Sequence, residues 1–569
     1  MLAAFRHDLR KFNLYDTETL ASTGQDDLGS VPRRYLFARS PDGAFNDLRN
    51  PGMGRAGARF GRNMPLASSM PDMPKMAEPS AREVSQSLMT RKELVPATIV
   101  NNLAAAWIQF QVHDWVNHVK ETGSPLTVPV KEGDSWHENP MTIDRTAPDS
   151  TRPVGSEGAP TYRNTETHWW DASQIYGSSE EKQQQLRLGI DGKLKIRSDG
   201  LLPRDPRFSG GIDLTGFNDN YWVGLSMMHT IFVKEHNAIC DMLKARHPDW
   251  DDNRIFDVAR LVNSALLAKI HTVEWTPAIL QHPALEMGMK ANWWGLLGKG
   301  FKNRFGRVSD SEVISGIPGS STDHHGTDYS LTEEFDIVYL MHPLLRDEYD
   351  FYSHRNGRLL GRLTLEEIQG RHTRPLVEHV PMADLFYSFG ITNPGAITIR
   401  NFPKTLQNFE TQAFRKVDLA AVDIMRARER GIPRYNDFRE RLRMPRVKSF
   451  EELTGGDREL AREISRVYGG NIDNVDAMVG MFAEKPPEGF GFSDTAFRIF
   501  ILMASRRLKS DRFFTVDYRP EVYTQEGLDW VENNTMVTVM LRHHPELGSA
   551  LRGVGNAFIP WRPLDTVKR

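Results

Sequence analysis

Apolar residues recur at helical spacing from Thr98 onward, and the pattern is weak before it. The stretch TIVNNLAAAWIQFQVHDWVNHV, rich in Ala, Trp and Ile, predicts a buried helix. The same period predicts helices over residues 222–246, 254–272, 332–342 and 496–508. Strand signals are few and short, so the expected fold is mainly α, with long loops carrying Gly, Pro and Asn. Up to about Pro96 the helical period fails, and GMGRAGARFGR and SSMPDMPKMAEP read as irregular chain. Residues 1–96 are therefore expected to form an irregular arm packed on a body of residues 97–569. No internal repeat divides that body.

Composition narrows the class. A formal net charge of -3, with both signs interspersed, lacks the basic face that binding to nucleic acid requires. Cys240 is the one cysteine, which excludes a disulfide framework and thiolate metal clusters and suits a reducing compartment. The opening MLAAFRHDLRK puts charge where a secretion signal needs an apolar core. The apolar run IFILMA, from Ile499 to Ala504, falls far short of the roughly 18 to 20 residues that span a bilayer. A soluble, cytoplasmic protein is expected, with peripheral membrane contact left open.

The candidate chemistry centres on SLTEEFDIVYLMHPLLRDEY. Ser330 followed by Glu333 has the form of a capping box, so a helix is expected to begin there. Tyr339 and His342 would then share a face, and Pro343 would kink or end the helix. Such a pair suits a packed core with satisfied polar tips, and it equally suits an axial haem ligand with a phenol one turn away. YLMHPLLRD resembles the proximal segment of the cyclooxygenases and the α-dioxygenases, within the animal haem peroxidase superfamily. The resemblance implies Tyr339 as a radical site, His342 as the proximal ligand and an animal haem peroxidase-like helical fold.

Upstream, WIQFQVHDW sets Gln109 and His113 four residues apart on one helical face. An imidazole there could take a proton from peroxide and return it. The pair is similar to the distal Gln and His of the superfamily, and Asp114 to its calcium-binding Asp. In THWWDAS, Thr167, Trp169, Asp171 and Ser173 stand at every second residue. An extended loop would send these to one side, where oxygen atoms can gather about a hard cation, Trp169 through its carbonyl. Alone the loop is an ordinary turn; beside Asp114 the resemblance implies calcium. MMHTIFVKEHNAIC and DLAAVDIMRARERGIPRYNDFR also resemble superfamily segments. Their His229, His236, Arg428 and Arg430 are expected to be buried hydrogen-bond partners.

Departures separate the branches. Val112 stands where secreted peroxidases carry a haem-linking carboxylate, and Asn218 and Tyr221 where they carry a distal Arg and a second linking Glu. The haem b is thus expected to be non-covalent. Cyclooxygenases add a disulfide-rich domain and a membrane-binding helical patch; one cysteine excludes the first, and no candidate for the second is seen. The α-dioxygenases remain. The resemblance implies that His271 and Thr276, in AKIHTVEWTPAIL, and Arg507, in ASRRLKSDRFFT, hold a substrate carboxylate, with Arg506 the alternative to Arg507. A guanidinium suits that role through two parallel hydrogen bonds. The implied activity is removal of a hydrogen from C2 of a long-chain fatty acid by a tyrosyl radical and addition of O2, after activation by peroxide, giving a 2-hydroperoxy acid. Three rivals stand beside it: a general haem peroxidase of small reductants, a cyclooxygenase-like oxygenase of different regiochemistry, and a non-enzymatic haem-storage or adhesion protein.

Overall fold

The computed structural model describes residues 2–17, 28–152, 157–208, 211–411 and 415–564. Helix dominates it, as the period predicts. The helices that build the site are α1 (Leu2–Phe12), α2 (Asn102–Trp115), α3 (Val223–Arg246), α4 (Asp252–Ile270) and α5 (Pro283–Trp294). They continue with α6 (Gly298–Phe305), α7 (Glu333–Val338), α8 (Leu419–Glu429) and α9 (Asp494–Ser510). Strands form antiparallel pairs only: β1 (Lys120–Val128) with β2 (Met141–Thr146), β3 (Glu348–Tyr352) with β4 (Leu359–Thr364), and β5 (Phe409–Glu410) with β6 (Lys416–Val417). Among the described residues, no helix is long and apolar enough to cross a membrane.

α2 is apolar on almost every side and buries nearly its whole length, so it belongs at the centre of the molecule. It packs on α3, which packs on α4. Side-chain caps fix several starts: Asp251 accepts from Arg254 N at α4, Asp418 from Ala421 N at α8, and Ser493 from Ala496 N at α9. After Ile270 the backbone widens into a π turn, His271–Trp275, then resumes as α-helix over Thr276–Ile279. Such a widened turn alters which way its side chains face and is common at functional sites.

Two local expectations are corrected. The arm expected to be irregular opens with α1, because Leu2, Phe5 and Leu9 recur at helical spacing despite the charges between them. The helix expected over 332–342 ends at Val338. Its cap is Thr332, whose Oγ1 accepts from Phe335 N at 3.2 Å, and not Ser330, which lies outside the helix. At the other end Pro343 has no N–H to offer the Tyr339 carbonyl, and Met341 N donates to it instead at 2.7 Å. The chain turns there, and a new 3₁₀ turn, His342–Leu344, follows. Tyr339 and His342 therefore leave two successive turns and do not share one helix face.

Candidate active site

His342 begins the short turn after α7, and its Nδ1 lies 2.9 Å from Asp423 Oδ2 on α8. Burial alone would depress this imidazole, but the Asp423 charge and hydrogen bond outweigh it and raise its affinity for a proton. In the neutral ring the carboxylate fixes the proton on Nδ1 and leaves the Nε2 lone pair outward. Nε2 has no hydrogen-bond partner among the described residues, and 26% of the side chain is exposed. A carboxylate behind an imidazole is how proteins orient a metal-ligating histidine.

The Tyr339 phenol is buried, and its Oη has no partner among the described residues. Burial holds it well above the usual phenol range, with Arg507 only partly opposing. It therefore keeps its proton at any ordinary pH. Phe335, Trp115 and Phe500 surround the ring at centroid distances of 4.6, 5.3 and 6.1 Å.

On α2, His113 is buried against the Phe217 ring at 4.8 Å, and its Nδ1 has no partner among the described residues. Burial alone pulls this imidazole down to about 3, so it stands neutral. Gln109 is held by its scaffold: its Oε1 accepts from Trp222 Nε1 at 2.8 Å, and its Nε2 donates to the Asn220 carbonyl at 3.2 Å. His229 was expected to be a hydrogen-bond partner and is not one. Both its nitrogens are buried without a partner among the described residues, and its ring meets Phe110 edge to face. His236, Arg428 and Arg430 do fill the expected role, bonding Tyr176 and Gly192, Asp476, and Asp336 respectively.

His271 and Thr276 flank the π turn that ends α4. Trp107 Nε1 donates to His271 Nδ1 at 3.2 Å, so the ring proton must sit on Nε2. That Nε2 is buried and has no partner among the described residues. Burial, and then Arg507, hold the imidazole well below its usual range and keep it neutral. The Thr276 hydroxyl donates to the His271 carbonyl at 2.9 Å and must turn to reach a ligand. Both residues line a small cleft with Trp170, Met289, Asn292 and Phe500.

Arg507 stacks on Trp170, whose ring lines this cleft, whereas Arg506 is bound elsewhere. The Arg506 guanidinium is filled by the carbonyls of His324, Thr327, Asp328 and Ser330. Arg507 lies over Trp115 at 4.0 Å and Trp170 at 4.6 Å, and its Nε and Nη2 have no partner among the described residues. Ring faces contribute about 0.5 to 2 kcal/mol each to such a cation. Removing the cation from water costs several kcal/mol, so an anionic partner would make up the difference. Trp115 joins the group: its ring also touches His271 and Tyr339.

Of the five positions expected to bind calcium, four fall into two hydrogen-bonded pairs. Ser173 donates through its backbone N and Oγ to Asp114 Oδ1, and Thr167 Oγ1 donates to Asp171 Oδ1 at 2.9 Å. Trp169 is pinned by its indole, which donates to the Met53 carbonyl. Burial, and then Asp171, raise the Asp114 carboxyl well above its usual range, and its Oδ2 has no partner among the described residues. Two buried carboxylates and two hydroxyls form the hard donor set that suits calcium. His118, Glu333 and Asp336 also gather within reach of one ion. Arg430 already pairs with both carboxylates, so that cluster is balanced without metal.

Comparison with known proteins bears on this arrangement. Residues 38–553 match the family model of the animal haem peroxidases. The chain is 37% identical over 568 residues to alpha-dioxygenase PIOX of Oryza sativa, covering 96% of this chain and 90% of that one. The chain belongs to the α-dioxygenases of the animal haem peroxidase family. A crystal structure of an Oryza sativa fatty acid alpha-dioxygenase, a Tyr-to-Phe variant with palmitic acid, matches this dioxygenase with a TM-score of 0.91 at 34% identity. The match covers 98% of this chain and 92% of that one. Peroxidase A of Dictyostelium discoideum, at 20% identity and TM-score 0.71, shares the fold alone.

Family membership implies haem, and the residues of this dioxygenase fit it. His342 offers a free Nε2 oriented from behind, and His113 offers a neutral, unpartnered imidazole. Two contributors to the site had no signal in the sequence. Asp423 lies 81 residues beyond His342, and Trp107 lies 164 residues before His271. Asp423 falls inside DLAAVDIMRARERGIPRYNDFR, which marked its segment but not its partner.

Proposed function

We propose that this protein is a fatty-acid α-dioxygenase that oxygenates C2 of a long-chain fatty acid through a Tyr339 radical. One observation carries the reading: the buried, unpartnered Tyr339 phenol sits in a single aromatic cage with the uncommitted Arg507 and the Nε2–H of His271. Arg507 and His271 offer only donors, and a carboxylate offers only acceptors. Thr276 adds a third contact if its hydroxyl turns. A carboxylate held there leaves its own α-carbon as the C–H nearest Tyr339, so anchoring sets the regiochemistry.

Haem b, which His342 would hold without a covalent link, would supply with a peroxide activator the one-electron oxidant that the phenol requires. Asn218 and Tyr221, where linking or cationic groups would stand, are instead bound to Asp205 and Asp213. Neutral His113, with Gln109 one turn away, takes a proton from the peroxide and returns it to the departing oxygen. Tyr339 loses hydrogen and becomes a neutral radical. That radical takes one hydrogen from C2 and regains its O–H, O2 adds to the carbon radical, and the peroxyl recovers hydrogen from Tyr339. The product is a 2-hydroperoxy acid, and the radical is restored. Asp114, Thr167, the Trp169 carbonyl, Asp171 and Ser173 would hold a calcium ion that ties the loop to α2.

Tyr339→Phe tests the reading, because it removes the hydrogen and keeps the ring. With haem and palmitic acid, the wild type should take up O2 and yield a 2-hydroperoxy acid by mass spectrometry. The variant should keep its haem spectrum and lose that product. Unchanged product from the variant would move the radical elsewhere. Oxidation of small reductants with no fatty-acid oxygenation in the wild type would favour a general peroxidase.

A further inference from the structure

We propose that α5, α6 and the chain to Ile314 form a docking face for an anionic lipid surface. Large apolar side chains stand open to solvent here more densely than elsewhere among the described residues. Met287 is 65% exposed, Leu296 59%, Leu297 49%, Phe305 60%, Val308 54% and Ile314 42%. No residue of α6 is buried at all. The face is continuous, since Leu296 N bonds the Val313 carbonyl at 2.9 Å and Phe301 packs on Phe305 at 4.8 Å. An exposed patch of this kind marks an interaction surface.

Charge selects the partner. Residues 283–314 carry Lys290, Lys299, Lys302, Arg304 and Arg307 against Glu286, Asp310 and Glu312. Glu286 pairs with Lys290, and Arg304 has no carboxylate partner among the described residues. Arg307 pairs with Asp310 and Lys299 with Glu532, each at 3.7 Å, while Glu312 is taken by Arg6 and Arg10 of α1. Lys302 donates to the Trp293 carbonyl, which leaves the excess positive charge on Lys302 and Arg304. Apolar side chains interleaved with cations on a surface helix suit the interface of a bilayer that contains anionic lipid. A periodicity search for buried faces misses such a helix, because its apolar residues face outward.

The inner face of α5 supplies the purpose. Leu285, Met289, Asn292 and Trp293 turn inward, and Met289 and Asn292 line the cleft that holds His271 and Thr276. The patch is thus the outer skin of the same wall whose inner side bounds the acid-binding cleft. Long-chain acids partition into membranes, so a site docked there meets its substrate without a water crossing. That purpose rests on the fatty-acid reading; the docking itself does not.

Holoprotein is mixed with sucrose-loaded vesicles of phosphatidylcholine, with and without phosphatidylglycerol, and sedimented without substrate. The wild type should sediment with the mixed vesicles, less with phosphatidylcholine alone, and less as salt is raised. Leu297→Ser with Phe305→Ser should reduce binding about tenfold or more. Arg304→Glu should reduce the preference for phosphatidylglycerol. Leu359→Ser with Leu360→Ser, an exposed pair on β4, should bind as the wild type does. Haem spectrum and solution size should be unchanged throughout. Absence of wild-type binding, or equal binding by the Leu297/Phe305 variant, overturns the proposal. A dimer that this variant dissolves would assign the patch to a second copy and also overturn it. Because sedimentation involves no turnover, a failure of docking and a failure of the dioxygenase reading are separate results.

Discussion

Arg506 and Arg507 are neighbours on α9 with different duties. Backbone carbonyls fill one guanidinium, and the other lies between ring faces with donors to give. Arg507→Lys keeps the charge and loses the planar fork, so KM for the fatty acid should rise by roughly tenfold to a hundredfold. Arg506→Lys should lower Tm and leave KM near normal; initial rates of O2 uptake and a melting curve separate the two. If His342 holds the haem as proposed, Asp423→Asn should weaken haem binding by about ten- to a hundredfold, because that imidazole loses the carboxylate that orients it. Titration of the haem-free protein with haem measures that directly, and unchanged affinity would show that Asp423 does not orient His342. Tyr339, His342, His113, His271 and Arg507 were each singled out in the sequence by spacing and resemblance. Their orientation was not legible there. The proton on His271 is placed by Trp107 and that on His342 by Asp423, and only folding brings those pairs together.

Among the elements, the long helices were the most legible, since α3 and α4 sustain the apolar period over 24 and 19 residues. α7 was the least, because no period reveals that Met341 closes on the Tyr339 carbonyl. Where the period ended, packing decided. The loop carrying Asp171 depends on charge in the same way. Arg260 pairs with Asp171 at 3.1 Å, yet Asp114 keeps one oxygen without a partner. Asp171→Ala, or a chelator, should therefore lower Tm and displace His113, which adjoins Asp114. Calcium restored after chelation should recover the Tm, and elemental analysis should find the ion in the wild type and not in the variant. Equal metal content in both would remove calcium from this loop.

For the molecule as a whole, buried neutral imidazoles set the acid limit. Burial pulls His168 and His236 each down to about 4 from the usual value of 6.5. Below about 6.5 the unfolded chain takes up protons that the folded chain refuses, so stability falls as pH drops from there toward 4. Each imidazole contributes up to roughly 3 kcal/mol to that loss. Urea midpoints measured from neutral pH down should decline through this window, and His236→Gln should flatten the slope; a pH-independent midpoint would contradict both assignments. Arg6 grips Asn292 across 286 residues and Arg10 grips Ser505 across 495, and both partners line the cleft. The arginines of α1 thus wait for α9 before they find their partners. A chain cut short of Ser505 holds an open trough where the folded protein has a wall, and fatty-acid retention should begin only once α9 is in place.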